Sequence, residues 1–356
     1  MLNNSGYKLR HDKSLRVAYF GGSITEGAGA SDASKYSYRA MTTAHLKAKY
    51  PDAEITEIYA AIGGTGTALG MFRVNRDVLE YDPDLVFVEF ATNDFGDTAE
   101  NVIPQTESII RRIRATLPDC DVVFLFSTAQ MVQEALDSGE SFVSRDAQYK
   151  VTEYYGVPSI DFGSHLLEVI KREGKVYTDY APDTLHPGDN GYAVVTEYIL
   201  SNLDPMLDKA YNEATEIVPH TVPEKLSEKA TDGADILYAS NLCDLCLNGF
   251  EIVKEPHDRF PEYLKSEKGG SSFSFSFEGI GFGFYRAEGD SGCDFAVSID
   301  GGEEIVVKSW DHYVRSFHRM AAAVVTKDLP CGKHTVNVRV VCDSDIRTVI
   351  GGIFAC

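Results

Sequence analysis

Ser23 stands in Gly21-Gly22-Ser23-Ile24-Thr25-Glu26-Gly27, directly after the apolar run 15–20. A strand that stops at two glycines and hands a serine to a helix start presents a hydroxyl on an exposed, tight turn. The chemistry open to such a hydroxyl is nucleophilic attack. Alone, a serine after glycines is more often a turn residue or a helix N-cap. Three later segments change its meaning: Ile62-Gly63-Gly64-Thr65-Gly66 after a second apolar stretch, Ala91-Thr92-Asn93-Asp94 at the end of the strand-like run 85–90, and Asp183-Thr184-Leu185-His186-Pro187 late in the same unit.

With these blocks in this order, the chain resembles the SGNH hydrolase superfamily of GDSL-type esterases over residues 15 to 205. Ser23, Gly64, Asn93 and His186 fall in the positions of the family's Ser, Gly, Asn and His, and Asp183 in that of the acid in its Asp-x-x-His motif. The sequence departs from the common pattern at three places. Gly22 replaces the acid of Gly-Asp-Ser, Ala91 replaces the glycine that usually opens the Asn block, and Tyr59 sits where many relatives carry Asn. These changes leave the reacting groups in place and bear on the substrate class.

A serine hydroxyl is a poor nucleophile near neutral pH, so an imidazole, here His186, must take its proton and later protonate the leaving alcohol. A carboxylate on the other ring nitrogen, here Asp183, fixes the tautomer and stabilises the imidazolium. Charge developing on the carbonyl oxygen would be met by the backbone N–H groups of Ser23 and Gly64 and the side-chain amide of Asn93. A Cβ at Gly64 would block close approach of the acyl group. No metal or cofactor is required by this mechanism.

Elements able to position these groups can be read along the first half. Strand-like runs at 15–20, 55–61, 85–90, 121–126 and 157–160 alternate with stretches of helical periodicity at 36–49, 105–117, 144–155 and 191–203. The pattern indicates a parallel sheet covered by helices, the flavodoxin-like three-layer α/β/α form that the resemblance implies. Ser23 and Asn93 then lie beyond the C-terminal ends of strands, where open α/β sheets gather ligands.

The hydrolase domain is expected over 1–205, followed by a charged, proline-containing connector over 206–234. From 235 to 356 the periodicity becomes two, in 273–277, 280–284, 295–299 and 335–340, with turns at Gly301-Gly302 and 330–333. Such short strands suggest a β-sandwich. This tail resembles the jelly-roll carbohydrate-binding modules attached to many glycan-active enzymes. Trp310, flanked by Asp311, His312 and Tyr313, is a candidate to stack on a sugar ring or to pack between domains. Arg73 is a candidate to line the pocket or to form a salt bridge, and Tyr36, Tyr38 and Glu89 invite the same question.

The net charge of −21 argues against nucleic acid and anionic membrane surfaces as partners. No run of about eighteen apolar residues is present, and the polar start of the chain lacks a signal-peptide core, so a cytoplasmic location is expected. Seven cysteines fit reduced thiols better than a disulfide framework. Cys243-Asp244-Leu245-Cys246 is the only C-x-x-C, without a second pair or histidines at zinc-site spacing. The expected activity is that of a serine carbohydrate esterase removing O-acetyl groups from oligosaccharides, with acetylated mannan or xylan fragments the candidate substrates and self-association left open. Lipase, lysophospholipase or thioesterase activity is the alternative on the same fold, and glycan binding without turnover is the alternative outside catalysis.

Overall fold

The computed structural model describes residues 2–254, 260–288, 293–308, 319–326, 329–342 and 348–356. Its contacts divide the chain into two units, Met1–Asp232 and Gly233–Cys356.

The first unit is built on strands β1 (Ser14–Gly21), β2 (Glu54–Ala61), β3 (Leu85–Glu89), β4 (Asp121–Leu125) and β5 (Ser159–Ile160), all parallel, in the order β2-β1-β3-β4-β5. That is the doubly wound flavodoxin-like order. β3 and β4 are buried along their whole length, as parallel strands covered on both faces must be, whereas the edge strand β2 alternates buried and exposed residues. Helices α1 (Asn3–His11), α2 (Ser23–Glu26), α3 (Ala33–Tyr36), α4 (Tyr38–Lys49), α5 (Thr67–Asp77), α6 (Ala99–Thr116), α7 (Gln130–Asp137), α8 (Val143–Tyr155), α9 (Phe162–Glu173) and α10 (Asp189–Glu213) complete it. Leu85 and Phe87 of β3 join a core with Leu46 of α4, Leu166 and Val169 of α9, Ile199 and Leu203 of α10, Leu9 of α1 and Leu2 just before it. Val86 and Val88 point to the opposite face, where α5, α6 and α8 pack on one another.

Two expectations are corrected. The last helix does not stop at 203 but continues through Pro205 to Glu213, because Leu203, Leu207 and Ala210 form a buried stripe against α1. The approach is close enough that a Cβ on Gly6 would stand 2.4 Å from Ala210. The stretch 206–234 is therefore no connector as a whole. Residues 214–232 form a strap bound to the first unit: His220 Nε2 meets Asp121 Oδ1 at 2.8 Å, the amides of Leu226 and Ser227 donate to the Glu107 carboxylate at 2.6 and 2.8 Å, and Arg111 Nε donates to Asp232 at 2.6 Å. Asp121 and Glu107 are fully buried, so these bonds satisfy charges that burial would otherwise make costly.

The second unit contains strands β6 (Asp235–Leu237), β7 (Cys243–Asn248), β8 (Glu251–Val253), β9 (Tyr263–Ser266), β10 (Ser272–Gly279), β11 (Phe282–Glu288), β12 (Asp294–Ile299), β13 (Ile305–Val307), β14 (Arg319–Thr326), β15 (Gly332–Val341) and β16 (Thr348–Ala355). Among the described residues they form two antiparallel sheets, ordered β13-β12-β15-β10-β7 and β14-β11-β16-β9-β8, with β6 on β16. Phe273, Phe275 and Phe277 alternate inward from β10, and the latter two meet Phe282 of the facing sheet, with ring centroids 6.1 Å apart for Phe275 and 5.5 Å for Phe277. The expected β-sandwich is present.

Candidate active site

β1 ends at Gly21, Gly22 continues extended, and Ser23 opens the one-turn helix α2, which Gly27 closes at φ 94°. Three residues apart on the loop before α10, Asp183 and His186 face it. His186 Nε2 lies 2.8 Å from Ser23 Oγ, and His186 Nδ1 lies 2.6 Å from Asp183 Oδ2. The other Asp183 oxygen accepts from the amides of Leu185 at 3.0 Å and His186 at 2.7 Å, in a turn that places Thr184 at φ 70°. A β-branched residue in the left-handed region is held there by its surroundings, and the Thr184 carbonyl accepts from the Gln130 amide at 2.9 Å. Partial burial works upward on the Asp183 carboxyl, but its bonds from the His186 ring and the two amides outweigh this and hold it below the usual range.

The glycine and asparagine blocks arrive at the same place. A Cβ built on Gly22 would stand 2.0 Å from Asn93 Oδ1, and one on Gly63 would stand 3.5 Å from Ser23 Cβ and 2.8 Å from Glu26 Oε2. Ser23, Gly63 and Asn93 are thus packed within one side-chain length, with Gly64 next in the chain in a left-handed turn at φ 73°. The serine and histidine loops are tied together as well. Tyr192 of α10 donates to the carbonyls of Ile24 and Ala28 at 3.0 and 2.8 Å, and Asp189 accepts from the amide and hydroxyl of Ser31 at 2.8 and 2.6 Å.

Beneath this arrangement lies a buried acid. Glu89, at the end of β3, accepts from Thr25 Oγ1 at 2.9 Å, Ser127 Oγ at 2.5 Å and the Gly22 amide. Full burial raises its pKa against the opposing pull of those three bonds. Asp94, next to Asn93, accepts from the amide and hydroxyl of Thr67 at 2.9 and 2.8 Å and from Gln148 Nε2 at 2.8 Å. Burial pushes its carboxyl up to about 7.

The structure separates other candidates from the site. Arg73 does not line a pocket: it is fully buried, donates to the carbonyls of Ala60 and Gly21 at 2.7 Å each and pairs with Asp77 at 2.8 Å, its guanidinium 4.4 Å from the Phe20 ring centroid. It holds the ends of β1 and β2 together and presents no surface to a substrate. Tyr38 is buried too, its hydroxyl 2.8 Å from Thr25 Oγ1, whereas Tyr36 is exposed. Trp310 lies outside the described residues. Glu26 was not anticipated. It lies one helical turn after Ser23, so the sequence did carry the spacing that puts its carboxylate beside the serine.

Among the described residues no three metal-ligating side chains converge, and no helix is long and apolar enough to cross a membrane.

Residues 19–194 match the GDSL-like lipase/acylhydrolase family. No curated protein sequence matches the chain. Among solved structures the chain is similar to a two-domain esterase active on acetylated mannans, with a TM-score of 0.86 and 21% identity over 100% of this chain and 95% of that one. It is similar also to that esterase co-crystallised with mannopentaose, with a TM-score of 0.83 and 20% identity over 96% of this chain and 90% of the other. The motif order, the 2-1-3-4-5 sheet and the family match agree: the N-terminal unit is a GDSL-like lipase/acylhydrolase domain of the SGNH type, and in this chain a β-sandwich follows it.

Proposed function

We propose that the protein is a serine carbohydrate esterase that removes O-acetyl groups from acetylated oligosaccharides. The observation that carries this reading is the continuous contact from Asp183 through His186 to Ser23, at 2.6 and 2.8 Å. Ser23 Oγ attacks the acetyl carbonyl carbon while its proton passes to His186 Nε2. The oxyanion so formed is met by the amides of Ser23 and Gly64 and the side chain of Asn93. On collapse, His186 gives the proton to the sugar oxygen, and the deacetylated sugar leaves. Water then attacks the acetyl-serine with His186 as base, releasing acetate and restoring the hydroxyl. Asp183 keeps the correct ring nitrogen toward Ser23 throughout.

The choice of a sugar ester rests on the likeness of both units to an esterase active on acetylated mannans, which favours manno-oligosaccharides over xylo-oligosaccharides. The carboxylate of Glu26 beside Gly63 suits a neutral, hydroxyl-rich substrate better than an anionic one. The test is acetate release from acetylated manno- and xylo-oligosaccharides by the wild type and Ser23→Ala, beside a p-nitrophenyl ester chain-length series. Serine-dependent acetate loss from a glycan is expected, with the largest rate on manno-oligosaccharides. Hydrolysis confined to long acyl esters would move the assignment to lipids, and wild-type rates in Ser23→Ala would remove the nucleophile.

A further inference from the structure

Residues i and i+3 of a regular strand point to opposite faces of its sheet. The cysteines of Cys243-Asp244-Leu245-Cys246 would then stand on either side of the sandwich sheet. β7 is not regular. Cys246 pairs with Ser274 and Cys243 with Ser276, so that the register shifts between them and one extra residue of β7 is accommodated. Asp244 takes the left-handed conformation at φ 54° that this bulge needs.

Ser274 and Ser276 share the outer face of β10, since Phe273, Phe275 and Phe277 between and beside them fill the core. Residues opposed across a ladder share a face. Both cysteines therefore lie on the outer face, and Leu245 packs against the core. Two residues of β10 span about 6.6 Å at roughly 3.3 Å per residue, so the cysteines opposite them stand near the upper end of the Cα separation that a disulfide bridges, about 6.8 Å. Both thiols are free and exposed, and β7 is an edge strand. Asp244 reaches over to Lys333 of β15 at 2.8 Å, and the Lys333 ammonium, raised chiefly by that contact, also feels Cys243. A cation is thus held by the residue next to Cys243.

We propose that Cys243 and Cys246 form a reversible intrastrand disulfide by exchange with a low-molecular-weight disulfide, RSSR. The Cys243 thiolate attacks one sulfur of RSSR, the S–S bond breaks, and RS⁻ leaves with a mixed disulfide on Cys243. The Cys246 thiolate then attacks the Cys243 sulfur and expels the second RS⁻, and each released thiolate takes up a proton given by a cysteine. The balance is two protein thiols oxidised to one disulfide and one RSSR reduced to two RSH. The ring it closes is short and exposed. It constrains the unfolded chain little and remains open to attack, which makes it a labile bond and not a structural staple.

The test equilibrates the full chain in glutathione and glutathione disulfide at stepped ratios, followed by acid quenching, alkylation and peptide mass measurement. The peptide carrying 243 and 246 is expected to lose two hydrogens as the disulfide fraction rises and to regain them on adding glutathione. Cys246→Ser should instead accumulate one glutathione on Cys243. Cys331→Ser, which removes another exposed thiol, should leave the pair's behaviour unchanged. Independent alkylation of both cysteines at every ratio, glutathione adducts on each without an internal bond, or a disulfide joining two chains through Cys243 would overturn the proposal.

Discussion

Glu89 touches no reacting group, yet two of its bonds, from the Gly22 amide and Thr25 Oγ1, support the segment that carries Ser23. Its carboxylate ties the Gly22 amide, Thr25 Oγ1 and Ser127 Oγ to the end of β3, directly under Ser23. It is a positioning residue in the proposed mechanism. Glu89→Ala leaves buried donors without an acceptor, each worth about 1–3 kcal/mol, and frees the turn before the nucleophile. The expected result is a lower unfolding midpoint together with a fall in kcat at little-changed KM on p-nitrophenyl acetate. Glu89→Gln keeps one acceptor and should recover part of kcat. An unchanged kcat in Glu89→Ala would confine the residue to folding. The sequence raised Glu89 only as a residue that could line the pocket or form a salt bridge. Its partners Ser127 and Gly22 lie on other loops, and nothing local pointed to them.

At the scale of elements, legibility followed locality. The parallel strands were readable because each is a short apolar run whose burial depends on its own residues, as in β3 and β4. Helix α5 was not read. It begins after Gly66 without a side-chain cap of its own, and its first amide is satisfied by Asp94, which lies 27 residues ahead. Helix α9 did carry a local signal, since Asp161 accepts from the Ser164 amide at 2.8 Å, an N-cap that could have been recognised.

The Asp94 cap also has a pH signature. Its carboxyl rises from an ordinary 3.8 to about 7 in the folded chain, so folding takes up a proton in between. This contribution to stability is complete below about pH 4 and is lost as pH rises through about 7. The urea midpoint of Asp94→Asn should therefore change less than that of the wild type over this interval. Equal slopes for the two proteins would show that Asp94 titrates as an ordinary carboxylate.

For the whole molecule, composition misled about where the first unit ends. Charged residues with Pro219 and Pro223 read as connector, but the strap is held by the buried carboxylates of Asp121 and Glu107, groups whose burial no local pattern reveals. His220→Ala should lower the stability of the first unit by about 1 kcal/mol through the loss of one hydrogen bond to Asp121. Ester hydrolysis should be unaffected, because Asp121 opens β4 at the end of the parallel sheet opposite to that of Ser23. A urea midpoint equal to wild type would mean that the strap is held by its other contacts. The candidate site was legible in outline, since the residues that the structure joins in one contact chain, Asp183, His186 and Ser23, are those the motif order singles out. The elements that stitch their loops, Tyr192 and the Ser31–Asp189 pair, were not, because each joins segments more than 150 residues apart.

The contact between Gly22 and Asn93 restricts what position 22 can hold. Any side chain at 22, including the aspartate common elsewhere in the family, needs space already held by Asn93 Oδ1, 2.0 Å from where its Cβ would be. In this chain the asparagine would have to shift, which would move its amide away from the oxyanion of the proposed mechanism. Gly22→Ala is thus expected to fold and to lose roughly 10² or more in kcat, and adding Asn93→Ala to it should cost little further. Losses that multiplied in the double variant would mean that the positions are independent. If they are coupled, the missing side chain at 22 is part of the arrangement proposed for Asn93, and a change at either position is felt at the other.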